Sequence, residues 1–209
     1  MNPIFEKLSE FRIVPVIVIN DAAQAVPLAK ALLEGGLPCA EVTFRTAAAA
    51  DAIRAITREL PEMLVGAGTV LTCEQVDRAI DAGAKFLVAP GLNPETVKHS
   101  RGVPFLPGAI TPTEIEAALA LGLEVVKFFP AEAAGGVKML QALSAPYKNL
   151  KFVPTGGIGP ANLHSYLGLK CVAACGGSWM VKDDLINSGN FAEITKLTKE
   201  AVELARIGE

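Results

Sequence analysis

Two hydrophobic periods alternate along the chain. Short apolar runs rich in β-branched residues occur at 13–19, 40–44, 64–67, 86–89, 105–107, 125–128, 152–153 and 172–175. Their length and composition predict strands. Between them, apolar residues recur at helical spacing over about 22–34, 47–59, 73–82, 93–99, 113–121, 136–144 and 160–167, as in helices with one buried face. A last amphipathic pattern predicts a helix over 191–207. Glycines mark the joins: Gly35-Gly36 stops the first of these helices, and Gly83 and Gly122 stop the third and fifth. Thr72, with Gln75 three residues on, has the spacing of an N-terminal capping box, and Thr111-Pro112-Thr113-Glu114 opens the fifth helix similarly.

Eight strand–helix units within 209 residues predict an α/β fold, a (β/α)8 TIM barrel. An open doubly wound sheet is the alternative. It expects a G-x-G-x-x-G after the first strand, and Val18-Ile19-Asn20-Asp21 offers none. The segment before Ile13 is expected to form a helix covering the barrel bottom. No linker, low-complexity tract or charge block divides residues 1–209, so one domain is expected.

Composition narrows the partners. The chain is 51% hydrophobic and 20% charged, below the roughly 25% charged share usual in soluble domains, so extra surface is expected to be covered in an oligomer. A net charge of −3 without a basic stripe argues against a nucleic-acid partner. The longest apolar run, 13–19, is too short to span a membrane. Met1-Asn2-Pro3-Ile4-Phe5-Glu6-Lys7 lacks a signal-peptide layout, which leaves the cytoplasm as the expected compartment. Cys39, Cys73, Cys171 and Cys175 form no C-x-x-C pair and read as reduced thiols rather than disulfides or metal ligands. His99 and His164 are the only histidines, both in helical patterns without metal-binding spacing.

Polar residues inside apolar strands carry the candidate chemistry. Lys127 stands within Glu124-Val125-Val126-Lys127-Phe128-Phe129. Lysine is rarely buried without a partner, and a desolvated neutral amine is a nucleophile. The other reading is a lysine snorkelling from a strand end. In Cys39-Ala40-Glu41-Val42-Thr43-Phe44-Arg45, alternation puts Glu41, Thr43 and Arg45 on one face and Ala40, Val42 and Phe44 on the other. The apolar face suits the surrounding helices. Acid and base are therefore expected inside the barrel, as catalytic groups or as a buried structural pair.

Barrel sites lie at the C-terminal ends of the strands. Three glycine-bearing turns are expected there: Gly66-Ala67-Gly68-Thr69, Pro154-Thr155-Gly156-Gly157-Ile158 and Cys175-Gly176-Gly177-Ser178-Trp179. Glycine lets backbone N–H groups close around an anion, and loops after strands seven and eight commonly hold phosphate.

Lysine, carboxylate, arginine and glycine turns together resemble the 2-keto-3-deoxy-6-phosphogluconate aldolase family, also described as 4-hydroxy-2-oxoglutarate aldolase. The resemblance runs from Val14-Pro15-Val16-Ile17 to the last helix. Its specific blocks are Glu41-Val42-Thr43-Phe44-Arg45-Thr46, Gly66-Ala67-Gly68-Thr69-Val70, Pro90-Gly91, Lys127-Phe128-Phe129-Pro130-Ala131-Glu132, Pro154-Thr155-Gly156-Gly157-Ile158 and Gly176-Gly177-Ser178-Trp179. Gly159 departs from it, since many relatives carry serine or another capping residue before Pro160.

The resemblance implies a Schiff base between Lys127 and the 2-keto carbon, with Glu41 moving protons. It implies that Arg45 and Thr69 hold the substrate carboxylate and that Pro90 and Phe129 shape a pyruvate pocket. Thr155, Gly156, Gly157, Gly176, Gly177 and Ser178 would bind phosphate. It further implies a cytoplasmic homotrimer that uses neither metal nor cofactor. The expected reaction splits 2-keto-3-deoxy-6-phosphogluconate into pyruvate and glyceraldehyde 3-phosphate. The galactonate epimer and 4-hydroxy-2-oxoglutarate stay open as substrates. A different phosphate-binding barrel enzyme would share the glycine turns but need no buried lysine. A non-catalytic phosphosugar sensor would bind without turnover.

Overall fold

Strand and helix alternate throughout the computed structural model, which describes residues 1–206. Helix α1 (Pro3–Phe11) precedes eight strands: β1 (Ile13–Ile17), β2 (Cys39–Thr43), β3 (Leu64–Gly68), β4 (Leu87–Val88), β5 (Phe105–Leu106), β6 (Val125–Phe128), β7 (Lys151–Pro154) and β8 (Cys175–Gly177). Between them lie α2 (Ala25–Glu34), α3 (Ala49–Glu59), α4 (Cys73–Asp81), α5 (Pro94–His99), α6 (Pro112–Ala120), α7 (Gly136–Ser144) and α8 (Leu163–Leu167). Helices α9 (Asp183–Asn187) and α10 (Phe191–Arg206) follow the last strand.

Parallel pairing runs β5-β4-β3-β2-β1-β8, with β6-β7 as a second group. Single bridges join the two, Gly108 to Lys127 on one side and Phe152 to Val172 and Thr155 to Gly176 on the other. The first is carried by Lys127 N donating to Pro107 O at 2.8 Å and Ala109 N donating to Lys127 O at 2.9 Å. The strands thus close in chain order into the (β/α)8 barrel that the alternation predicts, leaving no open sheet edge.

The barrel bottom is covered as expected. The Asn2 side chain accepts from Ile4 N and starts α1, whose Phe5 and Leu8 are buried. At its end Arg12 turns left-handed and its carbonyl accepts from Cys175 N at 2.8 Å. The Met1 amino group lies 3.6 Å from the Glu124 carboxylate, just before β6. Helix α1 therefore meets the N-terminal ends of β1, β6 and β8.

Several boundaries differ from the sequence pattern. The eighth strand was expected at 172–175, yet β8 is Cys175–Gly177, paired with Ile13, Val14 and Pro15. Gly176 and Gly177 are therefore strand residues, not turn residues, because the contact with β1 lies there; Val172 keeps only its single bridge to Phe152. Gly66 and Gly68 likewise belong to β3. Helix α8 begins at Leu163 rather than 160, so Gly159 is not its cap; instead Gly159 N donates to Asn162 Oδ1 at 2.9 Å. The short α9 breaks a stretch that carried no helical pattern. Thr111 and Glu114 form a full capping box, whereas the Gln75 side chain accepts from Leu71 N instead of Thr72 N. Position 207 of the last predicted helix lies outside the described residues.

Candidate active site

Strands β2 and β6 stand four places apart in the ring and so face each other. Each carries one charged residue to the interior. Lys127 Nζ donates to Glu41 Oε1 at 3.2 Å. Only 6% of Lys127 and 3% of Glu41 is exposed. Neither charge tolerates removal from water alone, so each is the other's compensation. The snorkelling alternative for Lys127 is excluded. Phe44, just past the end of β2, lies beneath the Arg78 guanidinium, which is 5.7 Å from its ring centre. Arg45, expected inside the barrel with Glu41, is exposed instead, because β2 ends at Thr43 and its alternation stops there. Thr43 is spent within the sheet, where its hydroxyl donates to Ile17 O at 2.8 Å.

Glycine makes room for the pair. A Cβ on Gly68 would lie 2.3 Å from Glu41 Oε1. Thr69 follows with φ 57°, a conformation rare for a β-branched residue. Backbone held in this region concentrates at functional sites. A Cβ on Gly108 would lie 1.9 Å from Pro90 O, so that carbonyl sits on the residue bridged to Lys127. Thr69 and Pro90 therefore flank the buried pair.

Beside the pair opens a cavity of about 270 Å³, lined by Arg45, Phe129, Thr155-Gly156-Gly157-Ile158, Gly176-Gly177-Ser178 and Asp183 among others. Phe129 belongs to both regions, because its ring centre is 5.4 Å from Lys127 Nζ. Gly156 and Gly157 have φ values of 102° and 79°, which only glycine adopts readily. A Cβ on Gly176 would lie 2.3 Å from Thr155 Oγ1. That hydroxyl is buried with no hydrogen-bond partner among the described residues.

The structure thus gathers every candidate residue at the C-terminal end of the barrel, in two adjoining groups. Arg45 is exposed and lines the same cavity as the glycine cradle. Asp183 is the charged residue of this cavity that the sequence pattern missed. Its only signal was an acidic pair, Asp183-Asp184, ahead of the apolar Leu185-Ile186. His99 lies away from this site and contacts Asp77 at 2.9 Å. Among the described residues no group of three or more His, Cys, Asp or Glu is placed to hold a metal ion. Among the described residues no helix is long and apolar enough to cross a membrane.

Comparison with known proteins agrees with this geometry. The family model for KDPG and KHG aldolase matches residues 4–197. The 2-dehydro-3-deoxy-phosphogluconate aldolase of Treponema pallidum is 50% identical over 209 residues, 99% of this chain and 100% of that protein. A KDPG aldolase from Legionella pneumophila, solved with pyruvate captured at low pH as a covalent carbinolamine intermediate, superposes with a TM-score of 0.90 at 40% identity, over 94% of this chain and 95% of that one. The Zymomonas mobilis ZM4 aldolase, solved with 3-phosphoglycerate, gives 0.89 at 39% identity over 97% of each chain. With its barrel, its buried lysine–carboxylate pair and this likeness along nearly its whole length, the chain belongs to the KDPG and KHG aldolase family.

Proposed function

We propose that this chain is a class I aldolase that cleaves 2-keto-3-deoxy-6-phosphogluconate to pyruvate and glyceraldehyde 3-phosphate. The observation that carries the reading is the 3.2 Å contact between Lys127 Nζ and Glu41 Oε1, buried beside a glycine-lined cavity. An amine hydrogen-bonded to a carboxylate can pass its proton across that bond and attack a carbonyl carbon. Loss of water from the carbinolamine gives a protonated imine. Breaking the C3–C4 bond then leaves its electron pair in an enamine, which a ketone would stabilise far less well. Glu41 accepts the C4 hydroxyl proton as that bond breaks and can return a proton to the enamine carbon. Hydrolysis of the second imine releases pyruvate and frees Lys127.

Arg45 and Thr69 hold the 2-keto carboxylate, while Pro90 and Phe129 wall the pyruvate unit. The phosphate lies on Thr155, Gly156, Gly157, Gly176, Gly177 and Ser178, where charge-assisted hydrogen bonds from amides and hydroxyls replace its hydration. The chemistry is assigned wholly to these residues. The chain acts as one barrel domain in a cytoplasmic homotrimer; the low charged share and the exposed Leu71, Leu119 and Met139 support the association of copies.

Pyruvate with borohydride tests the assignment. A reduced adduct on the peptide containing Lys127 is expected; an adduct elsewhere, or none, overturns it. Comparing kcat/KM for the gluconate and galactonate epimers then identifies the substrate.

A further inference from the structure

The glycine turn after β7 is held by residues outside the cavity. Glu132 N donates to Gly156 O at 3.1 Å, and Ala131 N donates to Thr155 O at 2.8 Å. On the other side, Asn162 Nδ2 donates to Gly157 O at 3.0 Å while its Oδ1 accepts from Gly159 N at 2.9 Å. A trans peptide holds its C=O and N–H antiparallel. Tying the Gly156 and Gly157 carbonyls outward therefore turns the N–H groups of Gly157 and Ile158 the opposite way. Both residues line the cavity.

The Glu132 side chain fixes one of these anchors. A Cβ on Gly157 would lie 2.7 Å from Glu132 Cβ, and one on Gly136 would lie 3.3 Å from Glu132 Oε1. The side chain passes through this gap and accepts a hydrogen bond from the Tyr166 hydroxyl of α8. Tyr166 is fully buried. Burial first, then the Glu132 carboxylate, push its phenol well above the ordinary value, so it stays a donor. One carboxylate thus joins the segment after Lys127, the glycine turn and α8.

We infer that Glu132, Tyr166 and Asn162 are positioning residues that aim the amides of the Gly156–Gly157 turn at the substrate's phosphate without touching the substrate. The inference rests on the aldolase reading for its ligand. Preorganised donors need no rearrangement on binding, so their support is expressed in affinity for the phosphate end.

Kinetics of four variants test it. Tyr166→Phe, Glu132→Ala and Asn162→Ala are each expected to raise KM for the phosphorylated substrate about tenfold, with kcat and 4-hydroxy-2-oxoglutarate cleavage within about twofold of the parent. Glu132→Gln keeps an acceptor for Tyr166 and is expected to stay near the parent. The dissociation constant of inorganic phosphate, measured by titration calorimetry, is expected to rise in the first three variants only. An unchanged phosphate affinity in Tyr166→Phe and Glu132→Ala overturns the inference. So does a parallel loss on both substrates, which marks a purely structural role. Pyruvate trapping on the parent judges the aldolase reading separately, and phosphate binding reads the turn even if that reading falls.

Discussion

Glu41 and Lys127 meet across the full width of the barrel, 3.2 Å apart, from strands on opposite sides of the ring. Each is the counter-charge that allows the other to be buried, and the same contact is the proposed route for the proton. Stability and catalysis therefore draw on one pair.

Removing one member strands the other. Lys127→Met is expected to destabilise the protein by about 3–5 kcal/mol at neutral pH, since Glu41 is left buried and unpaired. Adding Glu41→Leu removes that charge as well and is expected to return stability to the parent level or above, with activity absent. Urea denaturation of parent, single and double variants measures both steps. A double variant no more stable than Lys127→Met would show that Glu41 gains its compensation elsewhere.

Glu41 is buried within β2 and Arg45 is exposed two residues past its end, and the two have different tasks. Glu41→Gln is expected to lower kcat about a hundredfold or more, because proton transfer is lost while the hydrogen bond to Lys127 can persist. Arg45→Ala is expected to act mainly through KM for the keto acid. Steady-state kinetics separates the two, and a kcat within a few-fold of the parent for Glu41→Gln would leave Glu41 only a structural role as the counter-charge of Lys127.

Gly68→Ala tests the packing of the proton carrier without touching a titratable group. Its φ lies outside the left-handed region, so alanine suits the backbone, but its Cβ would lie 2.3 Å from Glu41 Oε1. The carboxylate must shift, and a small displacement of a catalytic group is costly, about a hundredfold in rate. A large fall in kcat with an unchanged fold by circular dichroism is expected. Parent-like kcat would mean that Glu41 need not sit above Gly68.

The ring and its buried pair were legible because they follow local rules. Alternation along 39–45 orients Glu41 inward, and a lysine among Val126, Phe128 and Phe129 stands out by its cost. Contacts between distant segments were not legible. Gly68 and Gly176 look like turn glycines, yet they are needed because Glu41 and Thr155, from other strand–helix units, come to within a Cβ's reach. Tyr166 and Glu132 lie 34 residues apart, and neither carries a local signal for the other. The eighth strand differs from its sequence pattern because β-branched composition favours Val172, whereas pairing with β1 selects Cys175, Gly176 and Gly177.

Burial divides the cysteines into two classes. Cys39 and Cys175 are buried, and desolvation pushes both thiols far above their ordinary value, so the reactive thiolate is suppressed at pH 8. Cys73 and Cys171 are partly exposed. A thiol reagent at pH 8 is expected to titrate two cysteines quickly in the native protein and all four in denaturant. Fast native reaction at Cys39 or Cys175 would mean that the barrel opens locally on that timescale.

Ser178 and Asp183 line the same cavity but act in opposite senses on a phosphate dianion. The Ser178 hydroxyl can donate a charge-assisted hydrogen bond, worth roughly 1.5–3 kcal/mol. Ser178→Ala is therefore expected to lower kcat/KM for the phosphorylated substrate about ten- to a hundredfold. The Asp183 carboxylate repels the dianion, so Asp183→Asn is expected to raise the same quantity a few-fold, and added salt should erase the gain. The shorter 4-hydroxy-2-oxoglutarate does not extend to the cradle, so the ratio of the two activities isolates the phosphate end and cancels any loss of folded protein. The ratio should fall for Ser178→Ala and rise for Asp183→Asn. A fall for both would make Asp183 a contributor to binding, holding a substrate hydroxyl or the cradle itself; equal losses on both substrates for Ser178→Ala would remove that hydroxyl from the phosphate site.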